Sequence, residues 1–154
     1  MTRVLFVCTG NICRSPMAEA MFRSMVGEAG LADRILIDSA GTDDWHAGEG
    51  PHRGTLEALA RHGIPAAGLT SRPLEDADYR SWDYILVMDA DHLAYVRSHN
   101  PGDRAVVKRV LDFHPSQAGG DVPDPYLTGR FEEVYLLLEP ALRQFLKTLQ
   151  QSAE

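Results

Sequence analysis

Short apolar runs recur along the chain, and stretches of helical spacing separate them. Residues 4–8 (VLFVC), 35–38 (ILID), 84–88 (YILVM) and 105–110 (AVVKRV) read as strands. The first and third are almost continuously hydrophobic, as strands covered on both faces are. Helical patterns mark residues 16–28, 53–62, 89–98 and 131–149. In the last of these, Phe131, Val134, Leu138, Leu142, Phe145 and Leu149 recur at steps of three and four and form one apolar stripe. Pro140 falls inside that stripe and predicts a kink or a break.

The β-α alternation predicts an α/β fold with a parallel sheet and helices on both sides. Ligands bind such sheets beyond the carboxyl ends of the strands, where residues 8–15 would lie. Segments 41–52 and 111–129 read as long loops, and no repeat, linker or low-complexity tract interrupts the chain. A length of 154 residues suits one domain spanning 1–154.

Composition narrows the function classes. Hydrophobic residues make up 44% and charged residues 24%, which suits an ordinary packed core. A formal charge of −7 without any basic block argues against a nucleic-acid surface. No apolar run approaches the length of a membrane span, and the first run lacks the features of a secretion signal, so a cytoplasmic protein is expected. Thiols stay reduced there, and two cysteines do not make a disulfide scaffold. The six histidines (46, 52, 62, 92, 99 and 114) show no paired ligand spacing, so no metal site is expected and most should be exposed or capping. GxxxxGK[ST] is absent, which leaves nucleoside triphosphate hydrolysis unsupported.

The cysteines therefore need another explanation. Residues 8–15 (CTGNICRS) form a strand-to-helix turn in which Ser15 suits an N-cap and Pro16 the first helical position. Such a turn presents backbone N–H groups beside the positive end of a helix and so makes an anion site. Gly10 permits positive φ and close backbone approach, and Asn11 tolerates the left-handed region. Arg14 adds a planar fork able to hold two phosphate oxygens. Cys8 would lie at the bottom of this cradle as a thiolate at neutral pH, placed for in-line attack on phosphorus, with the Ser15 hydroxyl able to bond its sulfur. Cys-x5-Arg alone arises by chance about one time in six in such a chain. The surrounding strand, Gly, Asn and Ser-Pro favour chemistry over a buried packing cysteine.

VCTGNICRSPMAEA (7–20) resembles the signature loop of the low-molecular-weight protein tyrosine phosphatases. The resemblance extends to DSAGTDDW at 38–45, YILVMD at 84–89 and DPY at 124–126. It implies a flavodoxin-like three-layer sandwich with a four-stranded parallel sheet and helices on both faces. It also implies metal-independent, cofactor-free hydrolysis of phosphotyrosine and aryl phosphates through a phosphocysteine. The partner would be a tyrosine-phosphorylated protein or peptide, and the product inorganic phosphate.

The resemblance assigns roles residue by residue. Cys8 is the nucleophile, and Arg14 with the backbone of Thr9, Gly10, Asn11, Ile12, Cys13 and Ser15 holds the phosphoryl group. Asp124 is the general acid and later activates water. A bound phosphate dianion should raise its pKa, which leads to an activity optimum on the acidic side of neutral. Ser39 supports Asn11, while Trp45 and Tyr126 line the rim and sandwich an aryl group. Two departures bear on specificity and loop rigidity. Leu127 stands where the family often has a second aromatic, and residues 66–72 lack the histidine that buttresses the loop asparagine in many members. Cys13, common in the family, is a candidate partner for an oxidised Cys8. An arsenate reductase, a flavin-mononucleotide carrier and a silent phosphate-binding module are the competing readings. The first lacks further cysteines, and the second leaves Cys8, Arg14 and Asp124 without roles.

Overall fold

In the computed structural model, which describes residues 1–154 except 101, 103, 153 and 154, β1 (Thr2–Cys8) runs through the middle of the sheet. Every residue from Val4 to Cys8 is buried, which accounts for the unbroken apolar run. The remaining strands are β2 (Ile35–Gly41), β3 (Tyr84–Val87) and β4 (Val106–Arg109), in the spatial order β2-β1-β3-β4. All pairings are parallel, with Cys8 opposite Gly41 and Val7 opposite Val87.

Side chains of β1 alternate between the two faces. Val4, Phe6 and Cys8 enter one core with α1 (Arg14–Glu28), α2 (Arg53–Arg61) and α6 (Phe131–Ser152). Leu5 and Val7 enter the other with Tyr79 from α3 (Asp78–Ser81) and Val96 from α4 (Ala90–His99). Phe22 joins the first core's layers, 5.8 Å from the Phe6 ring and 5.3 Å from Phe145. This is the flavodoxin-like α/β sandwich that the sequence leads one to expect. The chain steps from β1 to β2 on one side and to β3 on the other, so the ends of β1 and β3 flank a topological switch point.

Three expectations change. The helix α6 continues unbroken through Pro140, because its buried stripe (Val134, Leu138, Ala141, Leu142, Phe145, Leu149) holds both halves against the core. The first helix begins at Arg14, with Cys13 rather than Ser15 at the cap position. The loop at 111–129 contains the end of a 3-10 turn (Val110–Phe113) and the short α5 (Pro125–Thr128). Together with α3, these four-residue elements are too short to show periodicity. Among the six histidines His92 alone is buried, at 3% exposure. Among the described residues no helix is long and apolar enough to cross a membrane.

Candidate active site

Cys8 ends β1 with 3% exposure, and the chain then turns through residues 9–13 into α1. The turn requires one left-handed residue, and it is Asn11 (φ 56°), not Gly10. Asn11 is held there by its own side chain. Its Nδ2 donates to Ser15 Oγ (2.7 Å) and Ser39 Oγ (2.9 Å), while its Oδ1 accepts from the Arg72 N–H (3.0 Å). The Arg72 donor fixes which amide atom is oxygen. Ser39 donates in turn to Glu19 Oε1 (2.5 Å). Burial pushes the Glu19 carboxyl above its ordinary range, against the pull of Ser39 and Arg23.

Glycine at position 10 serves close approach. A Cβ there would stand 3.0 Å from His46 Cδ2. Gly41 serves it more stringently, since a Cβ would meet the Thr9 carbonyl oxygen at 2.6 Å. The segment that lacks the expected histidine still braces the loop. Ser71 Oγ donates to the Gly10 carbonyl at 2.9 Å, beside the Arg72–Asn11 bond.

Arg14 is 3% exposed and anchored from two distant segments. Its Nη1 donates to Asp89 Oδ2 and to the Val122 carbonyl, each at 2.9 Å, and Nη2 lies 3.8 Å from Asp124 Oδ2. Asp89 caps α4 by accepting the His92 N–H at 2.9 Å. Burial works to raise its pKa, but the His92 N–H and the Arg14 guanidinium outweigh it and hold it below the usual carboxylate range. Asp124 sits between Pro123 and Pro125 as the N-cap of α5, its Oδ1 accepting the Tyr126 N–H at 3.0 Å.

Ser15 Oγ lies 3.0 Å from Cys8 Sγ. With the Asn11 amide donating to that oxygen, the hydroxyl proton is free to point at the sulfur. Backbone N–H groups from Thr9 to Ser15 donate to no backbone acceptor among the described residues, which suits an oxyanion seated among them. The second thiol, Cys13, is a different species. Burial, then the nearby Cys8 and Asp124, push it up to about 12 against the effect of Arg14. Both cysteines are unpaired.

One cleft brings the expected residues together: Cys8, Thr9, Gly10, Ile12, Cys13 and Arg14 below, with Asp124, Trp45 and Tyr126 around the mouth. The side chains of Asn11, Ser15 and Ser39 lie under its floor, so Asn11 and Ser15 can meet a ligand only through their backbone. Trp45 and Tyr126 are 83% and 60% exposed and stand at the opening rather than packed on neighbouring loops. The cleft adds Asp43 and His46, which no sequence motif singled out for a role. Asp89 was visible only inside a resembling motif, although a residue that caps a helix after β3 beside the switch point is itself a signal. His92 carried none. Among the described residues no group of three or more His, Cys, Asp or Glu could hold a metal ion. A thiol beneath unpaired amides, a buried guanidinium and a carboxyl at the rim together can bind a phosphoryl group, attack it and move a proton at its leaving oxygen.

Residues 3–154 match the sequence profile of the family described as low molecular weight phosphotyrosine protein phosphatase. The low molecular weight protein-tyrosine-phosphatase YfkJ of Bacillus subtilis is 44% identical over 155 residues, covering 100% of this chain and 99% of the relative. Its crystal structure aligns with a TM-score of 0.96 over 100% of this chain and 98% of that one. A low molecular weight protein-tyrosine-phosphatase of Streptomyces coelicolor is 44% identical over 160 residues, covering 99% of this chain and 96% of the relative. The structure of a protein tyrosine phosphatase from Entamoeba histolytica, with Hepes in its active site, aligns over 100% of both chains with a TM-score of 0.93 and 30% identity.

Proposed function

The chain belongs to the low molecular weight phosphotyrosine protein phosphatase family, and on that premise we propose that it hydrolyses phosphotyrosine in proteins through a phosphocysteine at Cys8. The substrate's aryl ring enters between Trp45 and Tyr126, and its phosphoryl group descends to the loop. The N–H groups of Thr9 to Ser15 and the Arg14 fork hold the three non-bridging oxygens. The Cys8 thiolate attacks phosphorus in line with the tyrosine oxygen as the P–O bond breaks. Asp124 gives its proton to the departing phenoxide, so the dephosphorylated tyrosine leaves neutral.

In the second step the Asp124 carboxylate takes a proton from water, whose oxygen attacks phosphorus. The P–S bond breaks, the electron pair returns to Cys8 and the Ser15 hydroxyl stabilises the sulfur anion. Inorganic phosphate is released. The reading needs no metal or cofactor, and the two free thiols suit a reducing, cytoplasmic setting.

The observation that carries the reading is the convergence of Cys8, Arg14 and Asp124 on one cleft, with the Ser15 hydroxyl 3.0 Å from the Cys8 sulfur. The test is turnover of p-nitrophenyl phosphate and a phosphotyrosine peptide with EDTA present. Wild type should be active, Cys8→Ser inactive, and Asp124→Ala slowed most on substrates with poor leaving groups. Activity that survives in Cys8→Ser, or is abolished by the chelator, overturns the mechanism.

A further inference from the structure

Behind the loop lies a side chain that the reaction as described does not use. His92 occupies the third position of α4 with 3% exposure, and its Nε2 is 2.7 Å from Thr9 Oγ, 83 residues away in sequence. Its Nδ1 lies 3.2 Å from Asp89 Oδ1, yet is a buried atom without an aligned hydrogen-bond partner. The other oxygen of Asp89 holds Arg14. One imidazole therefore touches the residue that follows the nucleophile, and also the carboxylate that anchors the phosphate-binding arginine.

Resting on the phosphatase reading, we propose that His92 is a positioning residue. Its Nε2 ties down Thr9, the first residue of the oxyanion loop, and its ring stacks the Asp89–Arg14 pair into register with that loop.

The protonation pattern follows from the neighbours. A bare Nδ1 lone pair facing a carboxylate oxygen is repulsive, so Nδ1 carries the proton, Nε2 accepts and the Thr9 hydroxyl donates. Burial lowers the pKa of the ring, as does Arg14 from α1. Asp89 and Asp91 from its own helix and Asp124 from the start of α5 pull it the other way, and the net direction is downward. The neutral ring thus commits the Thr9 hydroxyl to the protein and leaves the loop's amides to the phosphoryl group. Thr9 is otherwise exposed, and besides this tie it is held by the Asp43 N–H on its carbonyl, while Ser71 braces Gly10 behind it.

The probe is orthovanadate, whose five-coordinate adduct mimics the transition state, measured by titration calorimetry beside kcat/KM on p-nitrophenyl phosphate. Asparagine places its amide near the Nδ1 position and cannot reach Thr9, whereas glutamine places its amide near Nε2. His92→Asn and His92→Phe should each lose about tenfold in kcat/KM and in vanadate affinity, while His92→Gln stays within about threefold of wild type. Thr9→Val, which removes only the hydroxyl, should match His92→Phe, and the Thr9→Val/His92→Phe double variant should be little worse than either single. A merely structural histidine would lower the melting temperature of all three His92 variants without ranking them by reach. The inference is overturned if His92→Asn keeps full vanadate affinity, if His92→Gln is as impaired as His92→Asn, or if the losses of the double variant multiply. Should His92→Phe fail to fold, Thr9→Val decides alone, and unchanged vanadate binding overturns the inference. Failure of the wild type to hydrolyse the ester or bind vanadate would instead sink the phosphatase reading.

Discussion

Ser15 Oγ stands 3.0 Å from Cys8 Sγ because Asn11, donating to the same oxygen at 2.7 Å, leaves the hydroxyl one productive direction for its proton. In the proposed reaction that proton matters most when sulfur is expelled from the phosphocysteine. Ser15→Ala should therefore slow the second step, by about tenfold for one lost hydrogen bond to a developing charge. Rapid-mixing experiments with p-nitrophenyl phosphate should show a burst of nitrophenol followed by slow turnover. A uniform slowing without a burst places the role of the hydroxyl elsewhere.

Gly41 is where β2 meets the loop. A methyl group at this position would press on the Thr9 carbonyl at 2.6 Å, on the Asp43 carbonyl at 3.1 Å and on Asn11 Cβ at 3.3 Å. Backbone atoms cannot rotate away, so Gly41→Ala should displace the loop, costing about 1–3 kcal/mol of stability and most of the activity. Gly27, on α1, has nothing within 4 Å of its Cβ position, and Gly27→Ala should be neutral or stabilising. Equal activities in the two variants would count against the steric account.

Asp78 governs stability in acid. Its carboxylate accepts from Arg72 Nη1 (2.9 Å) and Nη2 (3.0 Å), the Glu75 N–H (2.8 Å) and Trp82 Nε1 (3.0 Å). Burial acts to raise its pKa, but these donors outweigh it and hold the carboxyl below its ordinary value. The folded state thus binds fewer protons here than the unfolded chain. The stabilisation is complete above the unfolded pKa of about 3.9 and is lost as pH falls through the folded value. Asp78→Asn should cost about 3 kcal/mol at neutral pH and flatten the acid limb of a denaturation-midpoint curve. An acid limb of unchanged steepness would show that other groups control it.

The two thiols should differ in reactivity. Cys13, pushed up to about 12, stays protonated at neutral pH, so iodoacetamide should label Cys8 alone in the folded protein. In Cys8→Ser no label should enter until the chain is denatured. Peroxide followed by reductant tests whether Cys13 captures an oxidised Cys8. Cys13→Ser should recover less activity than wild type, and equal recovery removes the idea.

What the sequence made legible was whatever one segment carries by itself. The unbroken apolar run at Val4–Cys8 announces a doubly covered strand, and seven residues, Cys8 to Arg14, hold the cysteine, the left-handed asparagine and the arginine at intervals of three. The place of Asp124 at the cleft follows from its motif, since Asp-Pro alone marks only a turn. Partnerships across the fold left little trace. Nothing local ties Ser71 to Gly10, Asp89 to Arg14 or His92 to Thr9, because each contact forms only once β1, β3 and the loops beyond them share one end of the sheet. Pro140 does not break α6 for the same reason, as a helix held by its neighbours survives a local defect.

Arg14 has one further consequence, for the order of assembly. Its partners Asp89, Val122 and Asp124 come from segments more than 70 residues further along the chain. A refolding intermediate that had paired only β1 and β2 could own Cys8 and its turn and still be inert. Regained turnover should therefore lag behind regained helicity and coincide with the docking of the C-terminal half, making activity a clock for the last event in folding.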